Sequence, residues 1–438
     1  MTRRILAVAV FLELLMTDVA LAQAGGGSSS FGGGGGGGGG FSGGGSSGSG
    51  SGGGSAVVTA IVFAFFGLIV VWLLIKSALY RRRVNERVKR VTKAAAEAAE
   101  DDAYFASDAI ERDGEALFRA AQQAWDARDR GRLSQLVGPD LMIEWNRRLD
   151  DFDRKGWHNR VEVLGEPKIQ YVGLTNVEDD SQDRAVIRIE ARLKSYMLAQ
   201  NRVKIRRKGA SSDTVGLTEY WTLARRDGTW MVMSIEQRAE GDHQLDAEIV
   251  ASPWAGQHVA DEALTEVAVA DKLPEGFKTA DLADFAFEHD ARAKALDLSL
   301  ADARFGPDVL EAAARRAVAA WAEAVDGDDA RLERMAGRHA IDELLYAGDA
   351  SRKTRLVVRG PGVRQIRILA VDVQSQPATM TVEVDLGGRR YVEDRDTAAV
   401  VSGSKDRATT FTERWTLALA GPDDAPWRLV AAGAARTA

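Results

Sequence analysis

Twenty consecutive residues, Ala56–Ile75 (AVVTAIVFAFFGLIVVWLLI), carry no charge. At 1.5 Å per residue a helix of that length spans about 30 Å, the hydrocarbon thickness of a bilayer. Backbone N–H and C=O groups in lipid need internal partners, and a single helix supplies them. The run therefore predicts a transmembrane helix over 56–75 and divides the chain into two sides. Trp72 lies near its end, where interfacial aromatics are favoured.

Upstream, Met1-Thr2-Arg3-Arg4 precedes an apolar run to Met16, and Ala20-Leu21-Ala22 precedes Gln23. A basic start, an apolar stretch and an A-x-A site read as a signal peptide over 1–22. Glu13 interrupts that stretch, so an uncleaved signal anchor is the other reading. Residues 23–55 form a tail, in which Gly25–Gly54 holds 20 Gly, 8 Ser and 2 Phe. Such a segment has too little apolar surface to offset its ordering entropy and is expected to be disordered.

Charge gives the direction. No charged residue occurs between Gln23 and Ile75, whereas 76–93 holds eight basic residues, Arg81, Arg82 and Arg83 among them, and one acid, Glu86. The positive-inside rule then places the Gly-rich tail outside and the C-terminal body in the cytoplasm of a single-pass cell-membrane protein. Either treatment of the signal gives the body the same side. Residues 76–103 read as a basic juxtamembrane helix, with Val84, Val88, Val91, Ala95 and Ala98 on one stripe. The net charge of 76–93 is +7 and that of the remainder is −14, within a total of −7. A basic collar thus carries an acidic body, which excludes a globally basic nucleic-acid binder, and no nucleic-acid partner is expected.

The chain has no cysteine and five histidines, His158, His243, His258, His289 and His339. Thiol chemistry, disulfides and metal–thiolate sites are excluded. The histidines lack metal-site spacing, and no GxSxG, GxxxxGK[ST] or kinase signature occurs. Asp126, Asp129, Asp326, Asp328 and Asp329 gather at two helix corners, but without the Gly and Glu of a calcium loop. No metal, cofactor or catalytic residue is assigned.

The body repeats itself. Thr218-Glu-Tyr-Trp-Thr-Leu-Ala224 matches Thr412-Glu-Arg-Trp-Thr-Leu-Ala418 at six of seven positions. Trp230 follows nine residues after the first Trp, and Trp427 twelve after the second. Each reads as a strand–turn–strand hairpin. Upstream of each lie two helical patterns meeting at Asp126-Ala-Arg-Asp129 or Asp326-Gly-Asp-Asp329, then further strand-like runs. Each copy is therefore predicted as a helix pair on an antiparallel sheet, an α+β unit. Leu217, Glu219, Trp221 and Leu223 are predicted on the covered face, with Thr218, Tyr220 and Thr222 opposite. The first copy is placed at 104–240 and the second, diverged copy at 306–438. The connecting segment 241–305 is too apolar for a free linker and is expected to pack on a repeat or supply it with an edge element.

Glu219-x-Trp221-Thr-Leu223, the turn, and Trp230-x-hydrophobic-x-x-Ile235 resemble the closing hairpin of the domain shared with the mitochondrial inner-membrane import-motor anchor. The helix pair and the order of signal, Gly/Ser tail, membrane helix and domain are similar to that family as well. The second copy departs from it where Ile235 has no clear counterpart. The resemblance implies two cystatin-like cones of the nuclear-transport-factor-two type. In the mitochondrial relative this domain contacts anionic lipid and a translocase; the relative's chaperone-recruiting region has no counterpart here.

Two basic runs stand out on the acidic body. Asp183–Lys208 holds nine basic residues against two acids, and Arg352–Arg367 holds six and no acid. A solvated hairpin face is one reading. Contact with anionic lipid or a membrane-protein partner is the other, through Arg202, Lys204, Arg206, Arg207, Lys208, Arg355, Arg359, Arg364 and Arg367. The cones are expected to be lined by Phe118, Trp125, Trp145, Trp221, Trp230, Trp415 and Trp427. The function expected is a membrane-tethered, non-enzymatic binding or scaffolding protein. A module holding a small apolar ligand inside a cone, and an enzyme of the same fold, are the alternatives.

Overall fold

A computed structural model describes residue 24 and residues 55–206, 212–252, 283–288, 290–422 and 425–434. The signal region and most of the Gly-rich tail lie outside the described residues, as do Arg207, Lys208, His258 and His289.

The membrane run and the basic run form one helix, α1 (Ser55–Asp101). It is the described helix long and apolar enough to cross a bilayer. Its first half turns Phe63, Phe65, Leu68 and Trp72 outward. Its second half buries Val84, Arg87, Val91, Ala95 and Ala98, spaced three or four apart on one face. The helix therefore runs from the apolar segment without a break and docks on the body. Asp102 ends it, accepting from Tyr104 N at the turn that follows.

The first unit continues with α2 (Ser107–Ala127), α3 (Arg130–Leu136) and α4 (Pro139–Lys155). Five strands follow: β1 (Trp157–Thr175), β2 (Arg184–Ala199), β3 (Lys204–Ile205), β4 (Thr214–Arg226) and β5 (Thr229–Gln237). The sheet runs β1-β2-β4-β5 with β3 on β2, every pair antiparallel.

The second unit repeats the plan. A strand β6 (Asp284–Phe287) precedes α5 (Ala291–Ser299), α6 (Pro307–Asp326), α7 (Ala330–Met335) and α8 (Arg338–Tyr346). Then come β7 (Thr354–Asp372), β8 (Thr379–Asp394), β9 (Val400–Gly403), β10 (Thr409–Leu419) and β11 (Trp427–Ala434). The order is β11-β10-β8-β7-β6, with β9 on β8. The connecting segment supplies β6, which pairs with β7 in parallel, the exception in an otherwise antiparallel sheet.

The repeated Glu-x-Trp has a structural reason. Glu219 and Trp221 point the same way from β4, and the indole Nε1 donates to the carboxylate at 3.0 Å. Trp415 donates to Glu413 at 3.1 Å in the same manner. Each pair satisfies a buried indole N–H and a buried carboxylate inside its own core. The tryptophans fill these interiors: Trp125 packs edge-on against Trp145, Phe118 against Trp221, and Trp321 against Trp415. Trp230 and Trp427 pack on Phe105 and Phe305, each carried by the turn that enters its unit.

Candidate functional site

Two places bring charged side chains together. The first is a crevice of about 380 Å³ between α1 and the outer face of the first sheet. Period-2 alternation sends Gln170, Arg188 and Tyr220 from neighbouring strands to that face, in register with one another. Tyr80 of α1 covers them, its hydroxyl 2.7 Å from that of Tyr220. Arg188 is buried beneath Tyr80, donating to Gln170 at 2.7 Å and Glu190 at 2.6 Å. Arg238 stacks on the same ring, 4.4 Å from its centre. Ser77, Arg81, Asn85 and Lys168 add to the walls, so the lining holds four cations and one acid, Glu190, with Asp242 bonded to Tyr80 beside Arg238. Ser77–Asn85 begins two residues after Ile75. At 1.5 Å per residue the crevice lies about 3 to 15 Å along α1 beyond Ile75.

The second place is the joint between the units, a cleft of about 380 Å³. From the first unit α4 brings Glu144 and Arg148, and the chain after β5 brings Glu240. From the second, β7 brings Arg355 and Arg359, β8 brings Glu393, and the turn after β8 brings Arg395. Arg148 meets Glu393 at 2.7 Å, Arg395 meets Glu144 at 2.7 Å, and Tyr391 donates to Glu240 at 2.6 Å. Arg359 donates to the Asp326 carboxylate at 2.9 Å and to its carbonyl at 2.5 Å. Beside it His243 lies 2.7 Å from Glu236. Burial alone would raise the Glu236 carboxyl, but His243, Arg359 and Gln244 outweigh it and bring it to about 2. Burial alone would lower His243, yet Glu236 and Asp326 hold it above its ordinary 6.5. Burial and the Glu236 charge raise Asp326 despite Arg359.

Among the described residues, Glu236, His243 and Asp326 form the group whose donor atoms lie close enough together, within 4.8 Å, for a metal. Arg359 already supplies a cation there, so no metal ligand set is assigned.

The residues predicted for membrane or partner contact do not converge. Arg202 is exposed at the end of β2, and Arg206 pairs with Asp213 at 3.3 Å. Lys204 also pairs with Asp213 and lies over Tyr196. Arg364 is exposed, and Arg367 ties Glu383 on the second sheet. Arg355 and Arg359 correct the expectation of a second basic surface. Both turn into the joint, where Arg355 holds Asp329 at 2.5 Å. A run of like charge in sequence is here an alternating strand, with partners two helices away. Of the collar residues, Arg81 lines the crevice and Arg82 pairs with Glu86 at 2.8 Å. Arg83 binds Asp246 and the Asp242 carbonyl.

The helix-corner aspartates are fasteners. Asp126 accepts two bonds from Arg160 and one from Val161 N, and Asp129 caps α3 through Arg132 N. His158 is half-buried on β1 with Nε2 2.7 Å from the Asp126 carbonyl. The predicted cone residues are all buried, in interiors filled by their own rings. Sequence reasoning missed Arg188, Arg238 and His243. Arg188 sits inside a basic run that hides which of its members faces α1, and His243 acts through a turn with no periodicity.

Ala24 lies against the first unit, its N–H donating to Gln122 Oε1 at 2.9 Å. That contact and a membrane-spanning α1 exclude each other, because a crossing would put residue 24 on the far side.

Two stretches, 91–237 and 291–434, match the Tim44-like domain. No curated protein matches the chain. Among solved structures, the intermembrane space region of chloroplast protein ARC6 aligns at 12% identity and a TM-score of 0.23, over 29% of this chain and 95% of its own. An Ntf2 like protein involved in plasmid conjugation aligns at 10% identity and a TM-score of 0.18, over 75% of this chain and 95% of its own. Scores that low carry no argument about this chain.

Proposed function

The chain belongs to the Tim44-like domain family, in two tandem copies, and on that premise we propose that it is a membrane-tethered, non-enzymatic scaffold whose first unit holds an anionic lipid headgroup beside its own membrane helix. The observation that carries this is the crevice of Arg81, Lys168, Arg188 and Arg238, about 3 to 15 Å along α1 beyond Ile75, which is headgroup depth when Ala56–Ile75 spans the bilayer. Each cation near an anionic surface contributes about 1 kcal/mol, and the tether keeps the local concentration high.

The direction of the sheet supports the same reading. Tyr80 meets Tyr220, whereas Asp102, at the far end of α1, meets Arg225. Helix α1 and strand β4 therefore run in the same sense. The opposite end of the sheet, with Arg202, Lys204 and Arg206, lies toward the membrane. The second unit is left as the surface for a protein partner, and the positive-inside rule, applied to the basic collar, supports a cytoplasmic position for both units.

Nanodiscs holding the full chain in mixed neutral and anionic lipid test the headgroup site. Anionic lipid should be retained in native mass spectrometry, and Lys168→Glu with Arg81→Glu should remove the preference. No preference in the wild type, or none lost in the variant, would reject the site. Sidedness has its own test, because the chain has no cysteine. An Ala24→Cys label should react with an impermeant maleimide from outside intact cells. Protection of Ala24→Cys, with Leu300→Cys reacting instead, would reverse the topology, and equal reactivity of the two labels would show both on one side, as the Gln122 contact requires.

A further inference from the structure

The turn that follows β5 touches three bodies at once. Leu245 is buried with Val84 of α1, Val172 of β1 and Tyr220 of β4. Arg83 of α1 binds the Asp242 carbonyl at 3.3 Å, and Arg87 reaches the Glu248 carbonyl at 3.4 Å. On its other side the same turn presents His243 to the second unit. Two glycines make this fit. A Cβ on Gly241 would stand 2.3 Å from the Tyr220 ring, and a Cβ on Gly360 would stand 2.7 Å from the His243 ring. Gly360 also holds φ +59°, in the left-handed region that suits glycine.

The cluster at this contact is built from both units. Glu236 comes from β5, His243 from the turn, Asp326 from the end of α6 and Arg359 from β7. Gln244 on the turn fixes Glu236 Oε1 at 2.9 Å. Glu240 and Tyr391 form the next ring of groups around Arg359. With His243 protonated, two cations face two carboxylates and the cluster is neutral. With His243 neutral, one negative charge is left uncompensated at a buried joint, where charge is costly. Arg359 supplies one cation beside these groups, and a proton on His243 supplies the second.

We propose that Glu236, His243, Asp326 and Arg359 form a proton-dependent clamp that docks the second unit on the first and, through Asp242–Glu248, on the helix leaving the membrane. This goes beyond headgroup binding, since the cluster is distinct from the crevice residues.

The direction with pH follows from the individual groups. Against burial, Glu236 of its own unit and then Asp326 of the second hold His243 above its ordinary 6.5; docking adds the Asp326 share, which is complete below about 6.5 and is lost as pH rises through the docked value. Against burial, His243 of its own unit and Arg359 of the second hold Glu236 down at about 2; the Arg359 share is what docking adds, complete above the ordinary 4.5 and lost only toward pH 2. Asp326 is raised, so its ionisation weakens docking as pH rises above 3.8. The clamp is closed at mildly acidic pH and opens toward alkaline pH. The docked-to-undocked ratio changes by about tenfold for each pKa unit by which docking raises His243.

The experiment uses the full chain in nanodiscs, with fluorophores at Glu178→Cys in the first unit and Leu300→Cys in the second. Both positions are exposed. Energy transfer between the labels should change reversibly as pH rises from about 6 to about 9. His243→Gln should hold the high-pH value throughout. Asp326→Asn should invert the trend, because the cluster is then neutral only when His243 is neutral. A flat wild-type profile, a His243→Gln profile that still titrates, or an Asp326→Asn profile with the wild-type sign would overturn the clamp. So would docking at pH 9 that EDTA abolishes, which would place a bound cation in the cluster. Circular dichroism of each variant separates undocking from unfolding, and folded His243→Gln with wild-type transfer at every pH would also overturn it.

Discussion

The two copies share an aspartate at the end of their first long helix and an arginine on their first long strand, yet the pair lies in different surroundings. In the first unit Arg160 holds Asp126 at 2.8 Å, with the arginine side chain 42% exposed. In the second, Arg359 holds Asp326 at 2.9 Å, with the arginine 12% exposed and Glu236 and His243 of the first unit beside it. The first pair fastens a helix to a strand in water. The second has been covered by the neighbouring unit and takes part in joining the two. A repeat thus conserves a local fastener while one copy gives it a second use, and burial alone changes what the same two residues contribute.

Removing each arginine sharpens that contrast most. Arg359→Leu leaves the buried Glu236 and the half-buried Asp326 without their cation and should destabilise the folded chain by about 3 kcal/mol. Arg160→Leu should cost about 1 kcal/mol or less, since exposed pairs contribute little. Denaturant unfolding of the full chain in detergent measures both. Equal losses would show that the joint is solvated and that the two pairs do the same work.

The outer faces of the two sheets differ as clearly. In the first, the cross-strand row is Gln170, Arg188 and Tyr220, and α1 lies on it. In the second, the equivalent row is Arg367, Glu383 and Arg414. Glu383 accepts there from Arg367 and from Arg414, the latter at 2.9 Å, and no described helix covers the row. The single mismatch in the seven-residue repeat, Tyr220 against Arg414, is therefore the residue that distinguishes a helix-covered face from an open ionic one. Exchange of the two tests this. Tyr220→Arg places a charge under α1 next to Arg188 and should cost about 2–4 kcal/mol, by burial of an unpaired charge. It should also raise proteolysis between Tyr80 and Glu100. Arg414→Tyr breaks a half-exposed pair and should cost about 1 kcal/mol or less. An undisturbed α1 in Tyr220→Arg would mean that Val84, Val91 and Ala95 hold the helix without the tyrosine.

That mismatch also marks the limit of what was legible beforehand. Helices and hairpins follow from periodicity and turn residues, and the Glu-x-Trp repeat located both sheets. The helix stripe Val84–Ala98 was visible because spacing of three and four is a property of one segment. What it packs on was not, because Tyr220 sits on the face that alternation assigns to solvent. The basic runs misled for a related reason. Arg355 and Arg359 look free in sequence, but their partners, Asp329 and Asp326, lie on a helix corner about thirty residues away. Charge composition gives the sum of a segment and says nothing of which members are already paired. His243 is legible only in three dimensions, where the turn, Gly360 and the Asp326 corner meet.

The smallest difference between the copies lies in the two buried glutamates. Burial raises Glu219 to about 8, with Glu240 adding to it and the Trp221 and Gln237 hydrogen bonds opposing. Burial raises Glu413 too, but Trp415 and Arg390 oppose, the latter 3.6 Å away. A carboxyl raised on folding favours the folded state at low pH, and that contribution is lost as pH rises through the folded value. Wild-type stability should therefore decline between pH 4.5 and about 8 on account of Glu219, by at most about 1.4 kcal/mol per pH unit. Glu219→Gln keeps the acceptor for the Trp221 indole and removes the titration. Its melting temperature should gain on the wild type as pH rises through that window and stay level above it. Glu413→Gln should show the same sign over a narrower range, because Arg390 stabilises the ionised form. A gain for Glu413→Gln as large as that for Glu219→Gln would mean that Arg390 is too exposed to matter, and the two Glu-x-Trp pairs would then be energetically one motif.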